Sequence, residues 1–315
     1  MANSPEAKIN SLRGIPWMGF PPDITTGNIW FVDSGHPLAS DNTNCGESPL
    51  EPFATVDYAV GKCTASNGDI IYVMPGHAET LTDTATLALD VAGISVVGLG
   101  NGSNRPNLTV AGTAATSSIT ISAADVRIKN LIITVGVDSL LKVFTISANY
   151  CIIEDCFVSA IAALQFSSCF NLTTTYDHLT VRRCRVEQTS DPGLTDAAVD
   201  TGIFYMVDSE YVSVEDCRFY GNFETAIFHN KTTLVNQLHI RNCTGTCLLS
   251  TSFPYVQVAN AVGSDVGSYY FVPAAADLTG AAVGGTVSNK FFSGALFGND
   301  GATGDQGATV MVATT

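Results

Sequence analysis

The chain has 315 residues, of which 46% are hydrophobic and only 14% charged, a balance that supplies a continuous core and excludes a disordered chain. Its formal charge of −15 opposes phosphate backbones, so nucleic acid is not an expected partner. No apolar run is long enough for a transmembrane helix, and the polar residues 1–10 lack the apolar stretch of a secretory signal, so no membrane is expected either.

Residues 1–28 read as an extended arm. Pro5, Pro16, Pro21 and Pro22, with Gly14, Gly19 and Gly27, interrupt any periodicity. Yet Ile15, Trp17, Met18 and Phe20 are apolar, and apolar residues on an extended segment suit docking onto another molecule. Farther on, residues 52–63 place Phe53, Val56, Ala59, Val60 and Cys63 on one helical face, with Pro52 and Thr55 as start signals and Gly61 near the end. This pattern predicts a short amphipathic helix laid across the N-terminal opening of the main body.

The main body is built on a repeat. Asp125-Val-Arg-Ile-Lys-Asn-Leu131, Tyr150-Cys-Ile-Ile-Glu-Asp-Cys156, His178-Leu-Thr-Val-Arg-Arg-Cys184, Tyr211-Val-Ser-Val-Glu-Asp-Cys217 and Gln237-Leu-His-Ile-Arg-Asn-Cys243 share one alternating pattern. Gly93-Ile-Ser-Val-Val-Gly-Leu99 fits one step earlier, and Asp69-Ile-Ile-Tyr-Val-Met-Pro75 opens the series. Alternation of apolar and polar residues is a strand signal, and Arg127 and Lys129 are expected to face water. A repeat of this length means a solenoid, since one unit cannot bury its apolar face alone, and the uneven spacing places insertions in turns between stacked strands.

The shared final position then becomes a column: Leu131, Cys156, Cys184, Cys217 and Cys243 stack along the core. The cysteine ladder Cys156, Cys184, Cys217 and Cys243 is expected to be structural, because cysteine is small and readily buried and no metal-ligand spacing accompanies it. An odd total of nine cysteines argues against a disulfide framework and for synthesis in a reducing cytoplasm. No metal or cofactor is expected. From residue 251 onward arginine and cysteine disappear while Ala, Gly, Val and Thr dominate, which predicts a β-rich cap or oligomerisation region over 251–315. The solenoid itself is assigned to 29–250.

The stretch Trp30-Phe-Val-Asp-Ser-Gly, then Pro52-Phe-Ala-Thr-Val-Asp-Tyr-Ala-Val, then Gly68-Asp-Ile-Ile-Tyr-Val-Met-Pro-Gly76, resembles the entry to pectate-lyase-like β-helix proteins. The resemblance implies an all-β, right-handed parallel β-helix. Within that superfamily the chain is most similar in style to β-helix virion proteins of tailed bacteriophages. That likeness implies a homotrimeric capsid decoration or cement protein on the capsid exterior, anchored by its arm to a major capsid protein and made in the host cytoplasm. The alternatives are a polysaccharide lyase or hydrolase of tailspike type and a non-catalytic glycan-binding β-helix.

Of the motifs of polygalacturonase-type enzymes, only Arg127-Ile-Lys129 is present, as the outward face of a strand. On that ground no catalytic residue is assigned and the chain is expected not to be an enzyme. Were it one, Asp196, Asp200, Asp208 and Glu224 are the carboxylates best clustered for hydrolysis, which needs two acids some 5–10 Å apart. Asp155 and Asp216 share a rung position with Asn130, Arg183 and Asn242, a row that also reads as a turn ladder. The histidines at 36, 77, 178, 229 and 239 form no constellation along the chain.

Overall fold

The computed structural model describes residues 25–83, 86–112, 118–138, 140–160, 164–173, 178–188, 202–207, 209–221, 226–230, 235–247, 253–257 and 261–272, together with the strands Ser11–Leu12, Ile15–Pro16, Val283–Gly284, Phe291–Asn299 and Ala308–Thr309. The solenoid is a parallel β-helix whose coils contribute a strand to each of three faces. The first face stacks Ile29–Val32, Ile70–Val73, Ser95–Gly98, Arg127–Lys129, Ile152–Glu154, Thr180–Arg182, Glu210–Glu215 and Val235–Arg241, all parallel and in register. The second runs from Ala78–Leu81 through Ile132–Val135, Phe157–Ala160 and Arg185–Gln188 to Thr244–Cys247. The third holds eight strands, among them Leu140–Ile146, Phe166–Leu172, Gly202–Met206 and Ala226–Asn230.

The strand Ile29–Val32 pairs in parallel with Ile70–Val73, so the stack begins at residue 29, one strand before the repeat unit that starts at Asp69. At the other end the parallel pairing runs on through Ala261–Val272 and Phe291–Asn299.

Each of the five seven-residue units from Asp125 to Cys243 is a strand bracketed by left-handed residues. The first residue of a unit has positive φ in Gly93 (72°), Asp125 (58°), Tyr150 (58°), His178 (70°), Tyr211 (53°) and Gln237 (62°). Its sixth does so in Asn130 (57°), Asp155 (57°), Arg183 (52°), Asp216 (53°) and Asn242 (52°). Glycine, asparagine and aspartate enter this region at little cost, whereas tyrosine and arginine are uncommon there. The corners therefore need support from their neighbours, and rows of side chains on adjacent coils supply it.

Alternation sends the second, fourth and seventh positions inward. The column Ile128, Ile153, Val181, Val214 and Ile240 is buried throughout, and the next residue in register is the buried Asp265, whose carboxylate accepts from the Tyr270 hydroxyl at 2.9 Å. Leu131, Cys156, Cys184, Cys217 and Cys243 are likewise buried, and their carbonyls accept from the strands of the next coil. Cys45, Cys63, Cys151, Cys156, Cys169, Cys184, Cys217 and Cys243 are free thiols. Burial pushes the thiols of Cys169 and Cys184 well up, so at neutral pH both are small, protonated core residues. On the third face Phe144, Phe170, Phe204 and Phe228 stack ring on ring, with centroids 5.5, 4.7 and 5.1 Å apart.

The N-terminal opening is covered as expected, but by a shorter helix. Only Val56–Val60 is helical, because Thr55 and not Pro52 caps it, accepting from the Tyr58 N–H at 3.3 Å. Phe53, Val56, Ala59 and Val60 are buried against the first coil. The helix is tied down by His77, whose Nδ1 accepts from the Ser34 N–H (2.9 Å) and whose Nε2 meets Glu79 (3.2 Å). Glu79 in turn accepts from the Val56 N–H at 3.0 Å. No helix among the described residues is long and apolar enough to cross a membrane.

Candidate functional site

Outward positions of the first face build a charged row. Register places Lys129, Glu154, Arg182, Glu215 and Arg241 beside one another on successive strands, so the charge alternates in sign along the stack. Adjacent strands are about 4.8 Å apart, within reach for ion pairs between long side chains.

Glu154 is the centre of this row. Its side chain is fully buried, although it points away from the core, because cations close over it. Arg182 Nε donates at 2.6 Å, Arg183 Nη2 at 2.7 Å and Arg127 Nε at 2.7 Å, while Lys129 Nζ stands 3.8 Å away. Burial by itself would raise the Glu154 carboxyl, but the hydrogen bonds and charges of Arg182 and Arg127 outweigh it and bring it down to about 2. A carboxylate so held does not exchange protons near neutral pH, so Glu154 organises cations and is not a general acid or base. The expectation that Arg127 and Lys129 face water is corrected by the same geometry. Their side chains keep only 23% and 20% of their exposure, since a buried anion on the next strand draws them inward.

The corner row continues the network. Arg183 clasps Asp155 through Nε (2.7 Å) and Nη2 (3.0 Å), and Arg105 donates to the Asp155 carbonyl at 3.0 Å. Asn242 donates to Asp216 at 3.2 Å, and Asn130 donates to the carbonyls of Gly98 and Gly100 at 2.8 and 3.1 Å. Asp155 and Asp216 are thus turn residues held by partners. Around Glu154 and Asp155 stand the five cations Arg105, Arg127, Lys129, Arg182 and Arg183, a local positive excess on a chain of net charge −15. The guanidinium-bearing side chains of Arg183 (45%) and Arg241 (59%) remain open to solvent.

At the opposite end of the same strands Tyr150, His178 and Tyr211 stack face to face, with centroids 4.7 and 4.6 Å apart. All three are exposed. The face therefore offers charge at one edge and a strip of rings at the other, an arrangement suited to an anionic polymer with sugar rings.

Other residues singled out in the sequence fall elsewhere. Asp196, Asp200, Asp208 and Glu224 lie outside the described residues, as do Trp17, Met18 and Phe20. Ile15 belongs to a short strand, Ile15–Pro16, paired antiparallel with Ser11–Leu12. His239 meets the Ser264 hydroxyl at 3.1 Å. Among the described residues no three His, Cys, Asp or Glu side chains are grouped to hold a metal ion. The Glu154 cluster and the Tyr–His–Tyr strip were missed by sequence reasoning. Their signal was present, because the fifth position of the aligned repeats reads Lys, Glu, Arg, Glu, Arg.

No protein-family model matches the chain, and no curated protein matches it in sequence. Solved structures match in fold. A pectin methylesterase from Aspergillus niger superposes with a TM-score of 0.52 at 14% identity, covering 90% of this chain and 88% of that one. A rhamnogalacturonan lyase gives 0.49 at 12% identity over 89% of each chain. ORF18 of Geobacillus virus E2 gives 0.35 at 11% identity, with 88% of this chain and 63% of that one covered. The parallel β-helix is thus a fold that this chain shares with the pectin methylesterase, and the likeness at 14% identity is one of fold. It nevertheless overturns the expectation that the chain is not an enzyme. That expectation rested on missing polygalacturonase-type motifs, and the same fold carries an esterase, whose chemistry those motifs do not represent.

Proposed function

We propose that this protein engages an acidic polysaccharide along the outer face of its first sheet, as a polysaccharide-acting β-helix. The observation that carries the reading is the cation cluster about Glu154. Five basic groups converge there against two carboxylates, with exposed rings alongside. Guanidinium groups match carboxylates geometrically, and Arg183 and Arg241 present theirs to solvent.

The test is titration calorimetry with polygalacturonate and with alginate, using dextran as the neutral control. Binding of a polyuronate but not of dextran is expected, weakened about tenfold in Arg183→Gln/Arg241→Gln and by added salt. Equal binding of dextran, or none of either polyuronate, would overturn the reading. Release of reducing ends or of unsaturated product in the same mixtures measures turnover.

A second reading concerns where the protein works. The apolar arm residues Ile15, Trp17, Met18 and Phe20 support attachment to a phage capsid as a homotrimer, with the β-helix facing outward. Removing residues 1–24 should then abolish co-sedimentation with capsids while leaving the circular dichroism of the β-helix unchanged. Undiminished co-sedimentation would sink the anchoring role.

A further inference from the structure

The third face is creased. In a flat strand successive side chains alternate between faces. Here two successive residues enter the core on each of four strands: Val143 and Phe144, Cys169 and Phe170, Ile203 and Phe204, Ile227 and Phe228. The outer side of the bend is therefore concave, and residues three apart approach across it. Asn171 Nδ2 donates to Ser168 Oγ at 3.4 Å. A Cβ added at Gly202 would lie 2.9 Å from the Cβ of His229, so glycine is what lets the imidazole settle there.

Register lines the concavity with Asn171, Tyr205 and His229 on adjacent strands. Asn171 is only 6% exposed and His229 only 3%, yet among the described residues Asn171 Oδ1 and His229 Nδ1 have no hydrogen-bond partner. Tyr205 stands edge-on to His229 with ring centroids 5.6 Å apart. Leaving a buried polar atom unpaired is costly, so two in one row call for an occupant. One water cannot satisfy both, since two strand spacings separate the residues by about 9.6 Å.

The chemistry of the row narrows the occupant. Burial lowers the His229 imidazole and raises the Tyr205 phenol, so both are neutral at pH 7. Asn171 Oδ1 needs a donor, and neutral His229 Nδ1 can meet a hydroxyl in either tautomer. Lys142 stands beside Ser168 on the next strand, but Asn171, Tyr205 and His229 themselves bring no charge to an anion. A neutral ring bearing hydroxyls on opposite sides spans the gap and offers its apolar face to Tyr205. We propose that this crease is a binding site for one neutral sugar residue, separate from the first-sheet face.

Saturation-transfer NMR on the full chain with galactose, mannose and N-acetylglucosamine tests this. Transfer to at least one sugar is expected, with affinity falling about tenfold in Asn171→Leu and in His229→Phe and the thermal midpoint unchanged or raised. Gly202→Ala should weaken binding from the other direction, by displacing His229. Arg183→Gln should leave it intact, which separates this site from the first-sheet reading. Absence of transfer from all three sugars, or full transfer in Asn171→Leu and His229→Phe, would overturn the proposal. So would a fall in thermal midpoint in both variants without loss of sugar, since the polar atoms would then be serving the fold.

Discussion

Two stacks of rings run along this solenoid at nearly the same spacing, one inside and one outside. Phe144, Phe170, Phe204 and Phe228 stack within the core, and Tyr150, His178 and Tyr211 stack at the surface. The common spacing is set by the strands, about 4.8 Å apart, and is not itself a sign of strong attraction between rings. What differs is water and backbone. The phenylalanines are fully buried, while Tyr150 and Tyr211 keep 50% and 38% of their exposure and sit on left-handed corners. The inner stack holds the coil together. The outer one offsets part of a strain that its own position creates.

Truncating the middle of each stack puts this contrast to the test. Phe204→Ala removes a buried ring with neighbours on both sides and should destabilise by about 3–5 kcal/mol in denaturant unfolding. A loss near 1 kcal/mol would show that the coil collapses around the gap. Glu154→Gln sharpens the comparison, because Glu154 points outward like the tyrosines yet is buried like the phenylalanines. It should cost about 1–3 kcal/mol at neutral pH, the worth of charge-assisted hydrogen bonds.

The pH dependence comes from the same carboxylate. Its folded value, about 2, lies below the ordinary 4.5, so its contribution is complete above about 4.5 and drains away as pH falls toward 2. The difference in thermal midpoint between wild type and Glu154→Gln should shrink across that window. A constant difference would mean that the carboxylate's charge is not what the arginines need.

The smallest effect belongs to the outer stack. His178→Ala should cost no more than about 1 kcal/mol, and His178→Gly less than His178→Ala, since glycine enters the left-handed region freely. Equal costs for the two would place all of the effect in the lost ring contacts.

Much of the coil was legible in the chain. The inward column Ile128, Ile153, Val181, Val214, Ile240 and the buried cysteines follow directly from alternation within each unit, and a capping helix near residue 56 follows from its apolar spacing. The corners were harder to read. Tyrosine, histidine and arginine are not residues that announce positive φ, so only the stacked coil explains Tyr150, His178 and Arg183 there. The crease was hidden for another reason. Asn171, Tyr205 and His229 are neighbours in space, but 34 and 24 residues separate them along the chain, and connections of unequal length erase any period. Missing motifs did not decide the enzyme question, because a motif tests one chemistry, whereas the fold admits several.

The alternating row Lys129, Glu154, Arg182, Glu215 and Arg241 also limits how such a chain can lengthen or shorten. Excise the single coil that carries Arg182, and Glu154 comes to rest beside Glu215. Duplicate it, and two arginines lie side by side. Like charges on adjacent strands repel, so coils in this stretch are best gained or lost in pairs. A parity rule of this kind is an inheritance constraint written in charge.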